Sequence, residues 1–119
     1  MKISEIAKLI NGEVLTPVEN IQQKDIRCAF AADLISDILM CTKEPTLLLT
    51  GLTNPQIIRL SDMIDLEGIV FVRGKRPPKE IVEMAKERNL PLIVTPYTMF
   101  KTSGILYNNG IRSCSISEC

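Results

Sequence analysis

The stretch "LLLTGLTNPQII", from Leu47 to Ile58, decides the fold. Its apolar run is typical of a strand that is buried on both faces. Asn54 and Pro55 indicate a helix start, because asparagine caps a first turn and proline is tolerated there. Between strand and helix lies Gly51, in a loop that either binds a phosphate or only turns the chain.

The same pattern recurs along the chain. Gly74 follows another apolar run, 23 positions after Gly51, and each glycine is followed by a proline four positions later. Two less regular copies of this strand-loop-helix pattern predict two further strands. The four predicted strands are Arg27 to Phe30, Thr46 to Leu49, Ile69 to Val72 and Leu92 to Val94. Because strand-helix-strand crossovers are right-handed, the repeat predicts an α/β fold: a small, mostly parallel sheet flanked by helices and built from strand-loop-helix units.

No interior boundary divides the chain of 119 residues, so we expect a single domain over residues 1–110 and a short C-terminal tail over residues 111–119. The further predicted segments are a helix from Ile3 to Ile10, a turn at Asn11-Gly12, a strand from Glu13 to Leu15, a polar loop from Pro17 to Lys24, and helices from Leu34 to Met40 and Lys79 to Arg88.

The 14 basic residues balance the 14 acidic ones, so no overall field attracts nucleic acid or an anionic membrane. The sequence lacks a signal-peptide pattern and an apolar run long enough to span a bilayer. It therefore predicts a cytoplasmic protein without nucleic-acid or membrane partners. Its four cysteines are expected to be reduced thiols, with Cys28 and Cys41 as small apolar fillers.

Ligands of open parallel sheets bind beyond the carboxyl ends of the strands, where all these loops lie. A small anion there would meet cations after the third predicted strand and hydroxyls from neighbouring loops, among them Thr50, Tyr97 and Thr98. The predicted ligand-binding residues are Gly51, Thr53, Arg73, Gly74, Lys75, Arg76 and Thr95. Two alternatives stay open: the glycines only turn the chain, by supplying a backbone angle that other residues resist, and the cations form a solvated face or an ion-paired subunit contact. Neither loop has the spacing of a P-loop or of the dinucleotide fingerprint.

Catalytic groups are scarce. The chain has no histidine, which excludes histidine-based triads and histidine metal sites. Asp33 is interpreted as a helix cap, with general base as the alternative. Cys114 and Cys119 supply two thiols, too few for a structural zinc site. We therefore expect no enzyme activity, no metal and no cofactor.

Longer stretches carry a family resemblance. "ISEIAKLINGEVL" from Ile3, "AFAADLISDIL" from Ala29, the opening stretch, and "GIVFVRGKRPPKEIVEMAKERNLPLIVTPYTMFKTSGIL" from Gly68 follow one another in the order of the DRTGG domain. The chain resembles this bacterial module, found between CBS domains in regulated pyrophosphatases and related to the N-terminal domain of HPr kinase/phosphorylase. The resemblance runs from about Ile3 to Gly110 and implies a regulatory or dimerising role without catalysis.

The chain departs from this family at the residues that name it. Gly51-Leu52-Thr53 stands where the family has Gly-Asp-Arg, and Arg73-Gly74-Lys75 stands where it has Thr-Gly-Gly. The leading glycine of the first motif and the central glycine of the second are present, so both turns can form. Any contact that depended on the missing aspartate and arginine is absent.

Two functions follow from these observations. The first is a non-catalytic regulatory domain that senses a small anionic or nucleotide ligand at the carboxyl edge of the sheet. The alternative is a homodimerising interaction module that docks onto a separate enzyme or signalling protein, a prediction that rests chiefly on the resemblance. If they are exposed, four apolar residues of the last helical segment favour the second function, although burial in the core explains them more simply: Met99, Phe100, Ile105 and Leu106.

Overall fold

A six-stranded sheet forms the centre of the molecule in the computed structural model, which describes residues 1–16, 25–40 and 44–114. Its strands are β1 (Glu13–Val14), β2 (Cys28–Ala31), β3 (Thr46–Thr50), β4 (Leu66–Phe71), β5 (Leu92–Val94) and β6 (Arg112–Ser113). They lie in the order β1-β5-β4-β3-β2-β6. Every neighbouring pair is parallel except β1 with β5. The predicted parallel pairing of all four internal strands is confirmed.

Helices cover both faces of this sheet. They are α1 (Ile3–Leu9), α2 (Ile35–Leu39), α3 (Pro55–Arg59), α4 (Lys79–Glu87) and α5 (Met99–Asn108), and a short 3-10 turn follows α3 at Leu60–Asp62. Because β2 to β5 lie side by side in chain order, right-handed crossovers put α2, α3 and α4 on one face. The return to β6 runs the opposite way, which puts α5 on the other face beside α1. Within the residues described, no helix has the length and apolar character needed to cross a membrane.

The hydrophobic core therefore has two halves separated by the sheet. All five residues of β3 are buried, with Leu47 and Leu49 in the half beneath α1 and α5 and Leu48 in the half beneath α2 to α4. The predicted helix start is also confirmed, since the Asn54 side chain accepts a hydrogen bond from the amide of Ile57 at 3.2 Å. Burial on both faces explains why the strands read as continuous apolar runs.

The chain after α5 differs from its expected course. Residues 111–114 were expected to begin a tail, but Arg112–Ser113 pairs with β2, and Ile111 and Cys114 are buried. Cys114 packs against Cys28, so its thiol faces the core. Cys119, Cys41 and the predicted polar loop from Pro17 to Lys24 lie outside the described residues, and the domain limits stay a prediction.

Candidate functional site

Four loops meet at one edge of the sheet, because the carboxyl ends of the parallel strands lie there. Asp33 follows β2, Gly51 follows β3, and Arg73 and Lys75 follow β4. We call these four residues the carboxyl-edge site. Thr95 begins the fourth loop, directly after β5.

Asp33 fixes the β3 loop rather than a helix. Its Oδ1 atom accepts hydrogen bonds from the Thr50 hydroxyl at 3.0 Å and from the Gly51 amide at 2.7 Å. The interpretation as a helix cap is wrong: the N-cap residue of α2 is Leu34, and no side chain caps that helix. The other oxygen, Oδ2, has no hydrogen-bond partner within the described residues. Asp33 is therefore an exposed residue whose Oδ1 is fixed by two hydrogen bonds and whose Oδ2 is unpaired among the described residues.

Gly51 lies against two opposite charges. A Cβ atom placed on it would lie 3.4 Å from Nη2 of Arg73 and 3.6 Å from Oδ1 of Asp33. Even so, Asp33 and Arg73 form no ion pair in the part of the chain that the structure describes. Gly51 also lacks a positive φ, so the conformational reason predicted for this glycine is wrong. The α-carbon of Gly51 thus faces both a carboxylate and a guanidinium.

The Gly74 turn has the conformation predicted for it. Gly74 has φ +66° and open space around its α-carbon, and Arg73 adopts φ +56°. A residue other than glycine rarely adopts a left-handed conformation. This backbone conformation of Arg73 turns the chain over the end of the sheet, with its exposed side chain near Gly51.

The backbone amides of this turn are bonded within the protein and do not face an anion site. The amides of Arg73 and Gly74 each donate to a carbonyl of the loop between β5 and α5 at 2.8 Å, and the Lys75 amide donates to the Val72 carbonyl at 3.1 Å. These donors are therefore occupied. An anion at this edge would be bound by the side chains of Arg73 and Lys75, which have no ion pair or hydrogen bond among the described residues.

The other predicted ligand residues have different environments. Arg76 forms an exposed ion pair with Glu13 at 2.8 Å. Thr95 is fully buried, and its hydroxyl donates to the Ile10 carbonyl at 2.6 Å while accepting from the Tyr97 amide at 3.2 Å. Thr53 is half-buried in the loop before α3. The structure thus brings together Gly51 and Arg73, commits Thr95 to the core, and neutralises Arg76 with a carboxylate.

The additional hydroxyls are also used by the fold. Thr50 is fully buried, and its hydroxyl bonds Asp33 and the Leu52 amide. Thr98 caps α5 by accepting from the Lys101 amide at 3.2 Å. The Tyr97 ring lies under the Lys101 ammonium, 3.9 Å from its centroid. The sequence predicts Asp33 as a helix cap, and that role is wrong. Its position just after a predicted strand, like that of Gly51, is the signal that places it at the carboxyl edge of the sheet.

A second feature is an apolar groove between α5 and the edge of the sheet. This cavity of about 470 Å³ is lined in part by small residues, including Ala29, Ala31 and Gly104. Three aromatic side chains line it: Phe30, which is half-buried, Phe100, with 89% of its surface exposed, and Tyr107, with 71% exposed. Of the apolar residues expected at a helix surface, Phe100 is exposed, whereas Leu106 is buried and Met99 and Ile105 pack against the core.

Among the described residues, the carboxyl-edge site and the apolar groove offer few groups that could take part in a chemical reaction. No three groups of the cysteine, aspartate or glutamate type converge on a possible metal position within residues 1–16, 25–40 and 44–114. Burial raises the pKa of the Cys28 thiol, which keeps it protonated and unreactive at neutral pH. The carboxyl-edge site instead presents charged side chains and a hydrogen-bond acceptor.

Comparison with known proteins identifies the fold and the family of the chain. No curated protein matches the chain significantly. A crystal structure of the CBS and DRTGG domains of the regulatory region of Clostridium perfringens pyrophosphatase, complexed with its activator diadenosine tetraphosphate, superposes with a TM-score of 0.73 at 18% identity. The match covers 96% of this chain and 51% of that one, so the chain spans about half of the neighbour's length. The similarity shows a shared fold. A model of the DRTGG domain matches residues 5–108, and the chain therefore belongs to the DRTGG domain family.

Proposed function

We propose that this chain is a non-catalytic regulatory domain that senses a small anionic ligand, such as a nucleotide, at the carboxyl-edge site. The observation that carries the proposal is the approach of Arg73 and Asp33 to the α-carbon of Gly51, from loops that follow three neighbouring parallel strands. Family membership supports the regulatory role. The regulatory region of the structural neighbour is complexed with a nucleotide activator, which makes nucleotides the first class to test.

The available charges set the scale of affinity. A guanidinium binds phosphate through two parallel hydrogen bonds, and a lysine ammonium adds a point charge. Hydrogen bonds to charged groups contribute about 1.5 to 3 kcal/mol each, whereas a micromolar complex requires about 8 kcal/mol. Arg73 and Lys75 alone would therefore hold a simple anion weakly. A ligand that binds usefully has further groups that contact the site.

The test is a titration with a matched charge control. A thermal-shift and calorimetric screen with nucleotides, including diadenosine tetraphosphate, sugar phosphates and simple anions would be repeated on Arg73→Ala/Lys75→Ala. We expect binding to fall more than tenfold while the melting temperature stays nearly unchanged, because both side chains are exposed and unpaired among the described residues.

The control is Arg59→Ala/Lys86→Ala. It removes the same charge from the last turns of α3 and α4, helices that begin at the carboxyl edge and run away from it. This variant should bind like the original protein. Equal binding by all three proteins, or no response to any ligand, would overturn the proposed site.

A second candidate function is homodimerisation through the apolar groove. Large exposed aromatic side chains beside an apolar cavity are typical of association surfaces, and Phe100 and Tyr107 provide them here. A second copy of the chain suits the groove because the same patch holds both the protruding rings and the space that receives them. The near-zero net charge offers little electrostatic resistance to self-contact.

Sedimentation at tens of micromolar protein tests this function. We expect a dimer that Phe100→Ser dissociates, whereas Met63→Ser, which removes another exposed apolar side chain that does not line the groove, leaves it intact. A strictly monomeric mass, or a dimer insensitive to Phe100→Ser, would contradict it.

A further inference from the structure

A carboxylate at an anion site is an unusual component. Asp33 is held in place by two hydrogen bonds to Oδ1, so its position is defined, while Oδ2 has no partner among the described residues. Both oxygens lie within 3.7 Å of the position that a Cβ atom of Gly51 would occupy, and Arg73 lies against the same position. A ligand bound by Arg73 over Gly51 would therefore also meet Asp33.

We infer that Asp33 makes the site selective for phosphate compounds that carry hydroxyl groups, of the ribose type, over bare anions; this inference rests on the proposed function. An ionised carboxylate only accepts hydrogen bonds and repels a second anion. Bare phosphate is attracted by the guanidinium of Arg73 and repelled by the carboxylate of Asp33. A ribose phosphate places its anion near Arg73 and donates a hydroxyl to Oδ2, as a carboxylate at the same sheet edge does for ribose in dinucleotide-binding folds.

Other partners of Oδ2 fit less well. An ammonium group would lie beside Arg73 and Lys75, two cations against one carboxylate, and would be repelled. A divalent cation would have a single carboxylate ligand next to a guanidinium, and no cluster of three ligating groups exists in the described part of the chain. A neutral hydroxyl avoids both difficulties.

The experiment compares three probes on the whole chain: AMP, its 2′,3′-dideoxy analogue, and inorganic phosphate. By calorimetry or NMR titration, we expect AMP to bind about tenfold more tightly than either of the others, the effect of one hydrogen bond to a charged group. Asp33→Asn keeps an oxygen for Thr50 and Gly51 but replaces the free acceptor with a donor. It should reduce the preference below about threefold and strengthen phosphate binding.

The control variant is Asp37→Asn, which removes an exposed carboxylate four positions along in α2 and should keep the preference for AMP. If AMP and its dideoxy analogue bind the original protein equally, the inference fails while the ligand-sensing proposal stands. If none of the three probes binds, the inference fails, and the broader screen of nucleotides, sugar phosphates and anions decides the ligand-sensing proposal. The comparison of probes on the original protein decides the question even where Asp33→Asn does not fold.

Discussion

The β3 loop and the β4 loop have the same sequence pattern, a glycine followed four positions later by a proline, yet their glycines do different things. Gly74 is needed for its φ of +66°, and nothing approaches its α-carbon. Gly51 has no positive φ, and its α-carbon faces Arg73 and Asp33. One glycine shapes the chain, and the other leaves room between two charges.

The two loops are also anchored differently. The β4 loop is held by backbone bonds from Arg73 and Gly74 to the loop after β5. The β3 loop is held by the side chains of Asp33 and Thr50. Side chains that anchor a loop can be replaced one at a time, so each difference between the loops can be tested by substitution.

The largest effect is expected from two threonines: Thr50, which ends β3, and Thr95, which directly follows β5. Each hydroxyl is buried and accepts the amide two residues later, but Thr95 donates to the Ile10 carbonyl whereas Thr50 donates to the exposed Asp33. Removing a partner from a buried polar group costs about 1 to 3 kcal/mol. Denaturant unfolding should show Thr95→Val near the top of this range and Thr50→Val near the bottom, because water can satisfy Asp33. If Thr50→Val were the more destabilising change, the hydrogen bond to the Asp33 carboxylate would stabilise the fold more than the hydrogen bond to the Ile10 carbonyl.

Smaller losses are expected at the glycines. Gly74→Ala forces an L-residue into the left-handed region, which costs about 1 to 2 kcal/mol. Gly51→Ala meets only ordinary van der Waals contacts, so it should change the free energy of unfolding by less than about 0.5 kcal/mol. The same Cβ would occupy the floor of the carboxyl-edge site, so Gly51→Ala should weaken AMP binding. Equal destabilisation by both changes would mean that Gly51 is also a turn-former.

Much of this architecture could be predicted because it depends on local patterns. The buried run from Thr46 to Leu49 and the cap at Asn54 identify a strand and a helix without any knowledge of the rest of the chain. Parallel pairing then places the strand ends together, so the meeting of Gly51 and Arg73 at one edge could be expected.

What could not be predicted depends on distant partners. Strand β6 has two exposed residues and no apolar run, and its place is set by the course of α5 back to β2. The Arg73 and Gly74 amides find their acceptors some twenty residues later, at Tyr97 and Thr95. In the sequence, Asp33 stands where a helix-capping residue would stand. It accepts a hydrogen bond from Thr50 instead, because the fold brings the end of β3 next to it. The meeting of these loops at one edge of the sheet could therefore be predicted from the sequence, whereas the hydrogen bonds within the loops could not.

The smallest effect is expected at Arg76, which lies in the same loop as Arg73 but forms an exposed ion pair with Glu13. Such pairs contribute less than about 1 kcal/mol, since salt and water screen them. Arg76→Ala should therefore scarcely change stability, and because Glu13 already neutralises the guanidinium, AMP binding should weaken less than threefold. Glu13→Gln frees the same guanidinium and should leave AMP binding equal or tighter, most visibly at low salt. A loss of binding in Arg76→Ala as large as in Arg73→Ala would show that both arginines contact the ligand, and that the ion pair with Glu13 opens when the ligand binds.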